Sequence, residues 1–206
     1  MSLCVVLFIY SCKEENKIPE NFDYGTVENG VYANDFFNFE LSFDKDWSVQ
    51  SKDQMAEMTK KGQDLITGKN ELLKKNLKAS QVNVAELFAV FKFPVGTGSV
   101  YNPSLIINAE NLKGFPDVRK PKDYMDAVRS LLDEAPMKLI YKEQHYSKII
   151  GGKEFVSMEI YNQDYNVSQE YFSTIQKGFA IIMVISYNDD AQKEELYKII
   201  DNLKFK

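Results

Sequence analysis

Cysteine is almost missing from this chain: there are two among 206 residues, Cys4 and Cys12, both within the first dozen positions. From residue 13 onward no thiol exists, which excludes disulfide staples, thiolate nucleophiles and cysteine-ligated metals from that part of the protein. Histidine is scarcer still. His145 is the only one, so a multi-histidine metal centre cannot be built, and a histidine-based triad would have to rest on that single imidazole. Lying between Gln144 and Tyr146 in a strand-like run, it is expected at the surface. Concentrated positive charge is lacking as well. The 25 Lys and Arg are interleaved with 30 Asp and Glu for a net charge of -5, with no basic stripe, which argues against nucleic acid and against electrostatic adhesion to anionic lipid. Long apolar runs are also absent: residues Leu3 to Tyr10 fall far short of the roughly 20 that span a bilayer.

What the opening does contain is an order of residues. The apolar stretch ends in Ile9-Tyr10-Ser11-Cys12, and Lys13-Glu14-Glu15-Asn16 follows at once. This resembles a bacterial lipobox. The resemblance implies that a signal peptidase cuts before Cys12, that the sulfur takes a diacylglycerol, and that the freed amine is acylated with a palmitate-type chain. Residues 1–11 are then a signal peptide, 12–34 a lipidated tether and 35–206 one globular domain. Two departures stand out: Tyr10 is larger than most lipoboxes carry, and Met1-Ser2-Leu3 lacks the usual basic start, so the leader is expected to begin a few residues upstream.

The alternative for Cys12 is an ordinary core cysteine closing a first strand. Against it, Lys13 to Asn34 is polar and broken by Pro19, Gly25 and Gly30, which reads as a tether. Extended at about 3.3 Å per residue, its ~20 residues would hold the domain up to ~65 Å from the bilayer. One acyl chain binds marginally and two bind stably, so three give a permanent anchor. Lys13, Glu14 and Glu15 also resemble the short export signal that sends some lipoproteins to the outer leaflet of the outer membrane; a solvated charge cluster reads equally well.

The remaining residues, 44% hydrophobic over the whole chain, can fill a sizeable core. Phe37-Asn38-Phe39-Glu40-Leu41-Ser42-Phe43 alternates with period two and predicts a half-buried strand. Asp44-Lys45-Asp46 makes a turn, and Trp47-Ser48-Val49 starts the returning strand. Met55, Met58, Leu65, Leu72, Leu73 and Leu77 then recur at helical spacing, with a break expected near Gly68, and this stripe is read as core. Strands follow at 84–93 and 104–110. Gly96-Thr97-Gly98 between them lacks the lysine and glycine spacing of a phosphate loop. A helix starts at Pro121 and ends before Pro136. Four apolar runs near 138–150, 153–162, 167–176 and 179–187 are joined by turns too short for anything but antiparallel pairing. Phe179 to Ile185 is apolar on both alternating sets, so it is expected to be central and covered on both faces. A last helix, capped by Asp189 or Asp190, offers one cover through Leu196, Ile199, Ile200 and Leu203.

The aromatic opening at Asn34, Phe37, Phe39, Leu41, Phe43 and Trp47, the glycine hairpin Ile150-Gly151-Gly152-Lys153-Glu154-Phe155 and the ending Leu203-Lys204-Phe205 together resemble the PsbP-like fold. That fold is shared by a photosystem extrinsic subunit, a nuclear-transport factor that binds the Ran GTPase, and many bacterial lipoproteins. The resemblance implies an α+β class: an antiparallel sheet of about six to eight strands with helices on both faces, an α/β/α sandwich. Asp44-Lys45-Asp46 departs from the proline usual before the tryptophan. No shared active site comes with the fold, only a loose expectation of partner binding.

Three functions compete. The first is a non-enzymatic envelope lipoprotein, a binding or assembly module that uses the sheet face or a helix groove to hold a partner, such as an envelope protein, or a ligand, without metal or cofactor, its candidate surface marked by Tyr101, Tyr161, Tyr165 and Tyr171. The second is an envelope-polymer hydrolase working through paired carboxylates; its candidates, Asp44 with Asp46, Asp189 with Asp190 and Glu194 with Glu195, read better as turn, cap and solvated helix. The third is a small apolar-ligand carrier with a pocket between the Met-rich helix and the sheet.

Overall fold

A computed structural model of the chain describes residues 17–97, 101–142 and 145–206. Twelve strands and four α-helices fall within them. The strands form two antiparallel sheets. The smaller contains β1 (Thr26–Glu28), β2 (Val31–Asn34), β3 (Phe39–Ser42) and β12 (Lys204–Phe205), in that spatial order. The larger runs β4 (Ser48–Val49), β5 (Val84–Phe91), β6 (Ser104–Asn111), β11 (Phe179–Tyr187), β10 (Val167–Gln176), β9 (Lys153–Asn162) and β7 (Leu139–Tyr141), and β8 (Tyr146–Ile150) also pairs with β9.

As expected, β11 lies in the middle of the large sheet, between β6 and β10. Its alternating side chains enter two separate cores. Phe179, Ile181, Met183 and Ile185 pack on one side with the small sheet and with Leu196, Ile199 and Ile200 of helix α4 (Asp190–Asp201). Ala180 and Ile182 face the other side, where Tyr124 of helix α3 (Pro121–Asp133) lies, and Met125 and Leu132 of the same helix cover Val156, Met158 and Ile160 of β9. The helix starts follow local chemistry. Asp189 accepts the Gln192 N–H at 2.8 Å to cap α4, and Pro121 opens α3 with Asp123 accepting the Lys120 N–H at 2.9 Å.

The long helical stretch divides where expected, into α1 (Lys52–Thr67) and α2 (Glu71–Ser80), either side of Gly68. The expected stripe is only partly core. Met55 and Leu73 are buried, whereas Leu65 and Leu72 face outward, Leu72 at 67% exposure.

The structure alters four further expectations. Residues Ile18 to Asn34 are not tether. The Ile18 N–H donates to Val82 O at 3.1 Å, and Phe22 is buried against Phe36, Phe37 and Phe179 at ring separations of 5.0, 6.0 and 5.5 Å. Asn29 and Gly30, both at positive φ, then form the two-residue turn that joins β1 to β2. The domain therefore begins well before residue 35. Second, β4 does not return along β3: Ser48 and Val49 pair with Phe91 and Val90 of β5, in the other sheet. Third, the run at 138–150 is two strands, β7 and β8, that share one edge of β9. Fourth, the architecture includes a second, four-stranded sheet alongside the large one.

The turn at Gly151 is pressed against the end of the chain. A Cβ there would lie 2.7 Å from Leu203 O, and φ is +58°, so glycine is required twice over.

Phe22 separates the two views of the N-terminal segment. Replacing it by alanine should cost about 3 kcal/mol in urea unfolding, as for other buried phenylalanines; for a residue in a tether the unfolding free energy would change by less than about 0.5 kcal/mol.

Candidate functional site

A dense group of ionisable side chains lies between the large sheet and α4. Glu159 of β9 and Glu170 of β10 are directly opposed partners across the two strands, so their side chains emerge side by side on one face. Glu170 is 0% exposed and Glu159 8%. Burying two adjacent carboxylates is costly unless each is matched, and here each oxygen meets a donor. Glu159 Oε1 accepts from the Tyr187 hydroxyl at 2.7 Å and from Lys142 Nζ at 3.0 Å, and Oε2 accepts from Lys193 Nζ at 3.1 Å. Glu170 accepts from the Tyr146 hydroxyl on Oε1 and from the Tyr197 hydroxyl at 2.7 Å on Oε2. Lys193 Nζ also lies 4.0 Å from Glu170 Oε2 and so bridges the two acids.

Lys193 and Tyr197 stand four residues apart on α4 and therefore project from one helix face. The cluster fastens that helix to the sheet. Burial raises the carboxyl pKa of Glu159, but the hydrogen bonds from Tyr187, Lys142 and Lys193 outweigh it and leave the group below the ordinary carboxylate value. Burial, followed by the neighbouring Glu159, holds Tyr187 far above the usual phenol range. Tyr197 is raised in the same way, by burial and then by Tyr146 and Glu170. A glycosidase acid needs the reverse, a carboxyl whose proton is retained near neutrality. Above the cluster an open groove of about 280 Å³ is lined by Lys142, Tyr161, Ser168, Tyr187 and the start of α4 at Asn188–Asp190.

A separate acid, Glu110 of β6, behaves oppositely. Burial raises its carboxyl pKa, and the Tyr124 hydroxyl of α3 donates to Oε2 at 2.7 Å. His145 is not at the surface: its side chain is 10% exposed, with Nδ1 3.2 Å from Asp126 Oδ1. Burial lowers its pKa against the pull of Asp126.

The tyrosines expected to mark a partner surface are not brought together. Tyr171 packs beneath α3 with Met125 and Met158, while Tyr161, which donates to Asn166 Oδ1 at 2.7 Å, lies on the opposite sheet face with the groove. Tyr101 is half-buried, and burial raises its phenol pKa. Tyr165, in the turn between β9 and β10, is exposed. The candidate acid pairs have local roles: Asp44 Oδ1 accepts the Asp46 N–H at 3.0 Å, Asp189 caps α4, and Glu195 pairs with Lys92 at 2.6 Å. Cys12, the Ile9-Tyr10-Ser11 run and the Lys13-Glu14-Glu15 triplet lie outside the described residues.

Glu159 and Glu170 are not among the residues that the sequence marks as a candidate site. Their signal was present: Ser157, Glu159 and Tyr161 alternate as if toward solvent, but a turn at 163–166 places residue 159 opposite 170, under the final helix.

No protein-family model matches the chain, and no curated protein is significantly similar in sequence. Among solved structures, the cyanobacterial PsbP protein (CyanoP) of Synechocystis sp. is similar over 88% of this chain and 96% of that one, at 12% identity and a TM-score of 0.49. LpqN of Mycobacterium tuberculosis, a protein involved in cell envelope biogenesis, is similar over 81% of this chain and 82% of its own, at 11% identity and a TM-score of 0.39. A Pseudomonas aeruginosa protein of unknown function is similar over 58% and 78%, at 10% identity and a TM-score of 0.40. At such identities the likeness concerns the course of the chain and not its side chains.

The lowered pKa of Glu159 sets a sign. Its contribution to stability is fully present above the ordinary carboxyl value and is lost as pH falls through the depressed one. Glu159→Gln should destabilise the fold by about 2 kcal/mol at pH 7, since two lysines and a tyrosine lose their charged acceptor. It should also flatten the acid limb of the stability-against-pH curve. Denaturant titrations from pH 7 to 3 check both.

Proposed function

We propose that this chain is a lipid-anchored lipoprotein of the cell envelope whose folded body works by binding rather than by catalysis. The observation that carries the binding role is the α1–α2 hairpin. Leu65 and Leu72 are exposed on it, with Val82 exposed just beyond, so part of the apolar stripe that helical spacing assigned to the core is presented outward. The closed carboxylate cluster supports the non-catalytic half of the reading, because the acids that most resemble a reactive pair are committed to fastening α4.

The lipobox-like run supports the anchor. Among the described residues no helix is long and apolar enough to cross a membrane, and attachment through Cys12 needs none. With Ile18 already tied to Val82, only about six residues separate the acylated cysteine from the fold. The domain would then sit within roughly 20 Å of the lipid surface rather than ~65 Å. Display on the outer membrane, facing the periplasm or the exterior, belongs to the same reading through Lys13, Glu14 and Glu15.

Cells fed an alkyne analogue of palmitate should label the wild-type protein and place it in the membrane fraction. Cys12→Ala should carry at least tenfold less label and leave that fraction. Intact mass spectrometry finding an unmodified Cys12 with its leader retained would overturn the anchor. For the binding role, chemical crosslinking in native membranes should give a defined adduct that Leu65→Lys with Leu72→Lys abolishes, with stability unchanged within about 0.5 kcal/mol; an adduct indifferent to both changes removes the hairpin from the reading.

A further inference from the structure

Positive charge gathers on the same hairpin that presents apolar side chains outward. Over the whole sequence basic and acidic residues are interleaved, but residues 60–78 depart from that average, with six lysines against two acids, Asp64 and Glu71. All six, Lys60, Lys61, Lys69, Lys74, Lys75 and Lys78, are exposed. Lys61 pairs with Glu57 at 2.8 Å and Lys74 with Asp64 at 3.0 Å. Lys60, Lys69, Lys75 and Lys78 have no ion-pair partner among the described residues. Down α2 and the 3-10 turn that continues it (Gln81–Asn83), Leu72, Lys75 and Val82 recur at spacings of three and seven residues, so they lie along one side. Leucine and lysine side by side on an exposed helix suit the boundary between water and lipid, because the long lysine stem carries its ammonium back to the head groups.

The hairpin also lies where the chain would leave for its anchor. The Ile18 N–H donates to Val82 O at 3.1 Å, so the segment leading back to Cys12 departs from one end of the Leu72–Val82 stripe. Its roughly 20 Å reach keeps that end of α2 beside the lipid however the body turns. α2 has 10 residues and is therefore only about 15 Å long, which brings the rest of the stripe within range of the same surface. The other end of the hairpin is seated on the body: a Cβ at Gly68 would lie 2.7 Å from Pro136 Cγ, just beyond α3. The exposed stripe is thus carried on a fixed element and not on a loose arm.

We propose that the α1–α2 hairpin lies on an anionic membrane surface, with Leu65, Leu72 and Val82 at the boundary of head groups and acyl chains and the lysines level with the phosphates. The inference rests on the anchored reading above and names the partner of its hairpin as the lipid leaflet. Neither contribution has to be strong. Each lysine close to an anionic surface strengthens binding about fivefold, and an acylated neighbour already holds the local concentration of lipid high. The crosslinked adduct expected of the hairpin is then one with an amino-phospholipid, joined to a hairpin lysine.

The test uses the acylated protein carrying Leu72→Cys, whose new thiol is the only free one because Cys4 leaves with the leader and Cys12 is occupied. Intact mass spectrometry first establishes the acylation. A fluorophore on residue 72 is then followed in vesicles of phosphatidylglycerol and phosphatidylcholine in equal parts, with and without brominated acyl chains. Bromine should quench it at least twofold. The same fluorophore at Glu194→Cys, exposed on α4 across the sheet from α3, should be unaffected. Lys75→Gln with Lys78→Gln, or vesicles of phosphatidylcholine alone, should at least halve the quenching at residue 72. Val82→Cys repeats the measurement if Leu72→Cys fails to fold. In acylated protein, quenching at residue 72 no greater than at 194, equal quenching in both kinds of vesicle, or a protein adduct on the hairpin in place of the lipid one overturns this inference and leaves the anchor standing. Protein recovered without acylation overturns the anchor, and this inference falls with it.

Discussion

A strand that is apolar on both of its faces dictates much of this architecture. Phe179–Tyr187 gains from leaving water on either side, and a single covering layer would strand one set of its side chains. β11 therefore occupies the middle of the large sheet, with β6 and β10 bonded along its edges, and separate cores form above and below it. The small sheet and α4 exist on one side, and α3 on the other, because each supplies apolar surface that this strand and its neighbours require. Met125, on the buried face of α3, and Ile200, on the buried face of α4, answer the same demand from opposite directions.

The charged cluster at Glu159 and Glu170 is intelligible within that frame. α4 lies against the large sheet, and apolar contact alone does not fix its rotation. Lys193 and Tyr197 reach two particular acids on adjacent strands, and Tyr146 and Tyr187 close the remaining positions from β8 and β11. Fully matched polar groups in a low-dielectric layer specify one arrangement more sharply than side chains that differ only in shape. The cluster therefore acts as a registration device between helix and sheet.

What the sequence made legible was set by periodicity. The two-faced strand, the helix break at Gly68, the cap at Asp189 and the hairpins after residue 150 each rest on a local pattern, and each appears where that pattern placed it. The N-terminal boundary was missed although a local signal existed: Asn29-Gly30 is the pair that favours a two-residue hairpin, yet in a polar segment with a proline it read as a break in a tether. Phe22 gave no periodic signal, because a lone aromatic in a coil is buried only when other elements arrive around it. The candidate sites were less legible for a related reason. Glu159 and Glu170 look like solvent-facing strand residues until α4 is laid over them, and Leu65 and Leu72 fit a core stripe by spacing until the packing of the hairpin leaves them outside. Each of these is a tertiary event, and no spacing of residues along the chain encodes it.

The placement of β12 has a consequence for the timing of folding. Lys204 and Phe205 pair with Glu40 and Phe39, and the Asn38 side-chain amide donates to Lys206 O across 168 positions of sequence. The outer edge of β3 is thus sealed by residues made more than 160 positions later, and contacts of such separation form slowly. Until residues 204–206 have emerged, β3 carries an open row of backbone donors and acceptors, the kind of edge that pairs with other chains. The edge of β3 is therefore protected only once the whole chain is present.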